Sequence, residues 1–244
     1  LLSRCGIPCG YLGTLGYSTD KTTKKIPNTT PEADLLQACL RDFVADGMQA
    51  ASLEVSSHGL ALHRVDGISF NIAIGTNLTR DHLDFHGDFS AYCEAKAALF
   101  TGLSSGAYAV LNADDPHVEA WGDMTDAKVV TYGMHAQADW QARTVDVTPQ
   151  GMVIGARTPV GDIEVKAPML GQFNCYNILA SLAAAHSLGI EVERLIAAMV
   201  SVESVPGRFE SLDEGQEFTI LVDYAHTPDA LNNVLKTAKT LTEG

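Results

Sequence analysis

Along the first two-thirds of the chain, short apolar runs alternate with segments of helical period. "PEADLLQACLRDFVADG" (31–47) repeats apolar residues at helical spacing, and "MQAASLEVSS" (48–57) then reads as a buried strand running into a polar loop. "ISFNIAIGTN" (68–77) predicts a second strand and "SAYCEAKAALFTGL" (90–103) a helix. "AYAVLNADDP" (107–116) and "AKVVTYG" (127–133) are further short apolar runs that end in polar turns. Strands alternating with helices predict an α/β fold, a mostly parallel sheet with helices on both faces. In such sheets ligands gather at the carboxyl ends of the strands.

The pattern changes at 138–172, where "WQARTVDVTPQGMVIGARTPVGDIEVKAPMLG" alternates polar and apolar residues, with turn signals at "TPQG" and "TPVGD". That predicts a small antiparallel meander. Two helices follow, "NCYNILASLAAAHSLG", stopped by Gly189, and "EVERLIAAMVSV". "SVPGRFE" breaks the pattern, and a strand "FTILVDYAH" leads into a helix "PDALNNVLKTAKTL" with Pro228 in its first turn. A domain boundary is expected near Val205 to Arg208, dividing the chain into 1–205 and 206–244.

Composition narrows the function class. A net charge of −14 argues against non-specific nucleic-acid or anionic-membrane binding. Cys5, Cys9, Cys39, Cys93 and Cys175 are odd in number, and the three-residue gap in "CGIPC" suits neither a redox pair nor a zinc knuckle, so reduced thiols in a cytoplasmic protein are expected. No apolar run approaches the roughly 20 residues that span a bilayer. "LLSRCGIPCGYLG" lacks the layout of a signal peptide and reads as the tail of a helix; both ends suggest a segment of a longer chain.

Candidate chemistry collects after the predicted strands. Glu54 at a strand's carboxyl end could hold Mg²⁺, or be a solvated loop residue. Ser56, Ser57, His58 and Arg64 crowd the same loop and suit a phosphate or carboxylate; a Ser–His nucleophile lacks a supporting motif. In "NLTRDHLDFHG" the alternation of His82, Asp84 and His86 would form a comb in an extended segment, fit for zinc, whereas Asn77, Thr79, Asp81 and Asp84 favour magnesium or phosphate. A loop holding no ligand is the third reading. Lys96 falls on the apolar stripe of its helix with Tyr92, Leu99 and Phe100, where an unpaired ammonium is costly. It could snorkel to solvent, reach a phosphate, or react with CO₂ to give an anionic carbamate; spacing does not choose. "PNTTPE" reads as a helix start capped by Thr30 with Pro31 in the first turn, an N-terminus also suited to an anion.

Taken in order, "NTTPE", "EVSSH", "TNLTRDHLDFHG", "YCEAKAALF", "NADDP", "GQFNCYN", "PGRFE" and "VDYAHTPDAL" resemble the Mur ligases over nearly the whole chain. The resemblance implies the central domain of a phosphate-loop-type fold, followed by the start of the family's third domain. It implies a cytoplasmic, monomeric, ATP-dependent amide ligase of cell-wall peptidoglycan synthesis, with consequences for cell shape and division. A diamino acid would be joined to a UDP-N-acetylmuramoyl dipeptide through an acyl-phosphate, with Mg²⁺ as cofactor. "LALHRVDG" and "FHGDF" look more like relatives that use meso-diaminopimelate than L-lysine.

Carried over residue by residue, Glu54, His82 and Lys96 match catalytic magnesium-site positions, Lys96 as N6-carboxylysine. Asn28, Thr29, Thr30, Ser56 and Arg64 match the UDP-sugar peptide site. Asn177, Arg208 and Asp223 match the ATP site, with His226 a weaker candidate. Leu62 stands where some relatives carry a substrate-contacting glutamine, so that contact is not carried over. The family's G-x-x-G-K-[ST] phosphate loop does not occur in this sequence, so the 244 residues alone are expected to show little or no ligase activity. Another Mur or folylpolyglutamate ligase, a metal-dependent hydrolase built on "HLDFH", and an inactive UDP-sugar-binding module are the alternatives.

Overall fold

The computed structural model describes residues 1–148, 151–212, 214–216, 218–226 and 228–240. Two sheets carry the structure. The larger has six strands in the order β10-β9-β8-β7-β6-β5. In it β5 (Ile72–Gly75), β6 (Tyr108–Asn112), β7 (Lys128–Gly133) and the start of β8 (Trp140–Thr148) run parallel, while β8, β9 (Gly151–Thr158) and β10 (Gly161–Ala167) form the expected antiparallel meander. The meander is thus not a separate sheet: β8 pairs with β7 on one side and β9 on the other, so it extends the parallel sheet. Of the two predicted turns, Pro149 and Gln150 of the first lie outside the described residues; the second is a two-residue connection closed by Thr158, whose Oγ1 donates to Gly161 O at 2.7 Å.

The smaller sheet was not expected as a unit. β1 (Cys9–Gly13) pairs in parallel with the predicted strand β4 (Ala50–Leu53) and antiparallel with β2 (Gly16–Ser18), which pairs with β3 (Thr23–Lys24). The opening residues, expected as a helix tail, form a turn closed by Cys5 N–H on Leu1 O at 2.9 Å and then enter β1. β4 lies at the end of this sheet among the described residues, with Ala51 and Ser52 exposed. Helix α1 (Ala33–Ala45) covers the sheet with Leu36, Cys39 and Phe43. The Phe43 ring stacks on Tyr17 at 4.7 Å and fills the space above Gly10, where a methyl group would stand 2.5 Å from ring carbons. Gly10→Ala is expected to cost about 1–3 kcal/mol by overpacking, read as a lower urea midpoint at unchanged slope.

Both faces of the large sheet are covered, as predicted, and β6 shows how. Val110 points into the core shared with α6 (Gln172–Ser187) and α7 (Val192–Met199), while Ala109 and Leu111 join Tyr92, Ala97 and Phe100 of α4 (Phe89–Thr101) on the opposite face. The period-two alternation of the strand sorts its side chains between the two cores. After a short helix α5 (Pro116–Glu119) a 3-10 turn places Trp121 against Phe100 at 4.8 Å. Beyond α7, β11 (Glu210–Leu212) and β12 (Ile220–Val222) form a two-stranded antiparallel ribbon followed by α8 (Pro228–Thr240). The five cysteines are free thiols, and among the described residues no helix is long and apolar enough to cross a membrane.

Candidate active site

Glu54 and Asp223 lie just past strand ends while Lys96 and Asn177 lie on helices, and local folding differs from the sequence reading at three points. Thr30 is not a helix cap. Helix α1 begins after Glu32, and the buried Thr30 hydroxyl instead donates to Glu54 O at 2.8 Å and accepts from Ser56 N–H at 2.9 Å. Residues 57–61 are not loop but a one-turn helix α2 (Ser57–Ala61), capped by the Ser56 hydroxyl, which accepts from Gly59 N–H at 3.0 Å. Nor is 82–86 an extended comb. His82 adopts a left-handed φ of 54° and Leu83–His86 coil into helix α3, which turns His86 toward Ser57 at 3.0 Å.

Glu54, the first residue past β4, is held from several directions. Thr14 donates from its N–H at 3.1 Å and from its hydroxyl at 2.6 Å, the Tyr11 hydroxyl donates to the other oxygen, and Thr14 Oγ1 meets Thr29 Oγ1 at 3.0 Å. Burial, followed by the hydrogen bond to Glu54, pushes the Tyr11 phenol up to about 12, so it stays a donor across the neutral range. The 28–30 bend is braced from below: Arg64 donates to Thr30 O at 3.0 Å and pairs with Glu32 at 2.5 Å, while its Nε is buried without a partner. Asn28 is exposed in the bend, and Leu62 is exposed at the end of α2.

A second group gathers around Tyr92. His58 meets His82 edge-on at 4.7 Å, Phe85 at 4.1 Å and His86 at 5.6 Å, and Tyr92 lies 6.3 Å from His82 and 5.4 Å from His86. The Lys96 ammonium sits 5.5 Å from the Tyr92 ring centroid, and Lys96 lines a cavity of about 50 Å³ with Thr76, Asn77 and Leu99. Burial lowers its pKa from 10.5, and only the Asp81 charge opposes the shift. His82 and Lys96 therefore share Tyr92 as a neighbour, whereas Glu54 is fixed by contacts to Thr14, Tyr11 and the 30–56 bridge.

Burial, then the charge of His82, holds both His58 and His86 below the ordinary 6.5. The folded state thus binds fewer protons than the unfolded chain just below that pH. Their stabilising effect is complete above pH 6.5 and is lost as pH falls through the depressed values. We expect the urea midpoint to drop from pH 7 to pH 5, and His58→Gln combined with His86→Gln to flatten that slope.

The third group is drawn from α6 and from the turns at the ends of β11 and β12. Asn177, exposed, donates to Asn174 Oδ1 at 3.0 Å, and Asn174 donates to Leu170 O at 2.8 Å. Asp223, after β12, accepts from Phe209 N–H at 2.8 Å and Ala225 N–H at 2.7 Å, fixing the turn that carries Arg208. The Arg208 guanidinium lies 5.8 Å from the Tyr224 ring centroid. Phe173 and Phe209 pack edge to face at 5.5 Å, tying that turn to the first turn of α6. His226 is exposed and its Nδ1 is 2.8 Å from Tyr224 O.

Around Glu54 the available groups are its own carboxylate and the hydroxyls of Tyr11, Thr14 and Thr29, oxygens of the kind magnesium prefers, whereas the Tyr92 ring beside Lys96 also carries the imidazoles of His82 and His86. Among the described residues no three His, Cys, Asp or Glu side chains converge as a preassembled metal cage. Magnesium needs none, since it commonly takes one or two protein ligands together with water and substrate phosphates. The Glu54 carboxylate, an oxygen donor held in one orientation, fits that mode.

Sequence reasoning missed Tyr11, Thr14 and Tyr92. The first two lie 43 and 40 residues from the Glu54 they hold, beyond any local pattern.

Residues 1–185 match the family model of the Mur ligase middle domain, and residues 207–244 that of the Mur ligase glutamate ligase domain. The chain belongs to the Mur ligase family. It is 43% identical over 244 residues to the UDP-N-acetylmuramoyl-L-alanyl-D-glutamate--2,6-diaminopimelate ligase of Geobacillus kaustophilus, covering 98% of this chain and 50% of that protein. It is 42% identical over 250 residues to the ligase of the same name from Geobacter metallireducens, covering 100% and 49%. A solved UDP-N-acetylmuramoyl-L-alanyl-D-glutamate--2,6-diaminopimelate ligase superposes with a TM-score of 0.85 at 36% identity, over 100% of this chain and 50% of that one. A Mycobacterium tuberculosis folylpolyglutamate synthase, 18% identical, shares the fold at a TM-score of 0.79 over 99% of this chain and 62% of its own. This Mur ligase chain spans about half the length of the curated relatives it matches.

Proposed function

We propose that the protein containing this chain is an ATP-dependent amide ligase that adds meso-diaminopimelate to UDP-N-acetylmuramoyl-L-alanyl-D-glutamate, with L-lysine as the rival diamino acid. The observation carrying this reading is 43% identity across 98% of the chain to a ligase named for that reaction. In the reaction, the free carboxylate of the sugar dipeptide takes the γ-phosphoryl group of ATP to form an acyl-phosphate. The amine of the diamino acid then attacks the acyl carbon, and phosphate leaves as the amide forms.

Each site group has a part in this reading. Asn28, Thr29, Thr30, Ser56 and Arg64 form the UDP-sugar peptide site, the buried Thr30, together with Arg64, by bracing the bend that carries Asn28 and Thr29. Asn177, Arg208 and Asp223 receive the adenosine end of ATP, Asp223 by shaping the turn beneath Arg208. Glu54, His82 and Lys96 would hold Mg²⁺, which when bound offsets negative charge on the phosphates. Tyr11 and Thr14 keep the Glu54 carboxylate in one orientation. Burial favours the neutral Lys96 amine, the form whose lone pair attacks CO₂; the C–N bond forms as one C=O π pair moves onto oxygen, the nitrogen's proton passes to water, and an anionic carbamate results. The chain would divide near Val205 to Arg208, and the whole protein would work as a cytoplasmic monomer.

The test is phosphate release by the full-length protein supplied with ATP, Mg²⁺, the UDP-sugar dipeptide and either diamino acid. Release should require both the dipeptide and meso-diaminopimelate, with a product heavier by one diaminopimelate residue. Release that ignores the diamino acid would overturn the reading, and a preference for L-lysine would correct it.

A further inference from the structure

"NADDP" (112–116) begins at the last residue of β6 and holds none of the residues assigned above, yet its side chains reach the 76–78 segment, the 134–136 turn and helix α6. Asn112, buried at the end of β6, donates from Nδ2 to Thr76 O at 2.6 Å. Asp115 caps α5 with one oxygen, accepting from His117 N–H at 3.0 Å and Val118 N–H at 3.2 Å. Its other oxygen, which the cap does not need, accepts from Leu78 N–H at 2.7 Å, 37 residues away. Tyr132 donates to Gly75 O at 2.8 Å. The backbone is therefore gripped at Gly75, Thr76 and Leu78, and the residue between, Asn77, lines the cavity beside Lys96.

Asp114 faces the other way. It accepts from Met134 N–H at 2.7 Å, Ala136 N–H at 2.5 Å and His135 N–H at 3.1 Å, and from the Tyr176 hydroxyl at 2.8 Å. Burial alone would raise the Asp114 pKa; these donors outweigh it and hold the carboxyl below its usual range, so the grip persists at neutral pH. Tyr176 precedes Asn177 on α6.

We propose that Asn112, Asp114 and Asp115 are positioning residues that lock the 76–82 loop and helix α6 to one strand end, setting the proposed magnesium site and the proposed ATP site in a fixed relation. An in-line transfer between ATP and a bound carboxylate requires such a relation, because reacting groups must meet at a fixed distance and angle. Three polar residues within four positions at a strand end, Asn112, Asp114 and Asp115, would otherwise be a costly way to make a turn.

The proposal rests on the ligase reading, and two near-isosteric variants of the full-length protein test it. Asp115→Asn can keep the helix cap while turning an amide N–H₂ toward Leu78 N–H. Its kcat should fall by about 10- to 100-fold with KM for ATP held within about twofold. Tyr176→Phe removes only the tie to α6 and should raise KM for ATP about threefold or more with kcat nearly kept. Amide exchange should quicken at Leu78 in Asp115→Asn, while Ala109–Leu111 in the same strand end stay protected. An active parent whose two variants both keep kcat and KM, or both lose kcat by one common factor alongside a common drop in melting temperature, would overturn the proposal. So would an unchanged Leu78 amide. A wild-type protein without ligase activity would sink the reading instead, leaving the exchange result to decide the clamp.

Discussion

Lys96→Met in the full-length protein should lower ligase turnover by about a hundred- to a thousand-fold, the scale seen when one preorganised charge-stabilising group is lost. The same change should leave the melting temperature unchanged or higher. Lys96 lies on the buried stripe of α4 between Tyr92 and Phe100, both nearly inaccessible to solvent. Burial depresses its pKa below 10.5. The folded state therefore takes up this proton less readily than the unfolded chain, and stability associated with the lysine is present above pH 10.5 and lost as pH falls through the depressed value. Below pH 10.5 an unmodified lysine here therefore costs the fold stability, and methionine, of similar length and without a titratable group, removes that cost. Phosphate release and calorimetry on one preparation check both halves. Near-normal turnover would remove Lys96 from the chemistry, and a clear drop in melting temperature would mean that its amine stabilises the fold. Intact mass of native protein, heavier by one CO₂ in wild type and not in the variant, separates a carbamate from a bare amine.

Much of this arrangement was legible in the sequence where signals are local. β5, β6 and β7 are short apolar runs with polar ends, and α6 is a long Ala/Leu-rich segment stopped by Gly189 at a positive φ of 84°. β1 escaped notice because "CGYLG" holds two glycines and no β-branched residue; it is a strand because β4 lies beside it, and that pairing spans some forty residues of chain. The cap expected at Thr30 failed for a related reason. Its hydroxyl had a local partner in the coming helix and a distant one in the Glu54–Ser56 backbone, and the distant one won because the buried hydroxyl there satisfies both a carbonyl and an N–H. His82 shows the limit of spacing arguments: alternation puts His82, Asp84 and His86 on one side only of an extended chain, and the backbone coils after His82. The motifs named the residues of the proposed site, while Tyr11 and Thr14 on Glu54, Tyr92 beside Lys96 and Tyr176 on Asp114 are brought in by tertiary structure.

The largest stability effect should come from Trp140→Ala. Trp140 is 1% exposed and opens β8, where it pairs opposite Tyr132 in the parallel part of the sheet just before the chain turns into the meander. Its ring lies 5.6 Å from that of His186 on α6 and is packed within the main core. Truncation leaves a cavity at the junction of three elements, parallel sheet, meander and helix, none of which can collapse into it without breaking its own ladder or helix. A loss of about 3–5 kcal/mol is expected, a large share of the roughly 5–15 kcal/mol that keeps a domain folded. Trp140→Phe keeps a ring in place and should lose roughly half as much or less. Urea unfolding of both variants checks the order and the size. Because Asp114 grips Met134–Ala136 independently, near-equal losses from the two variants would show that the strand ladder and that grip, rather than the indole, hold the junction together.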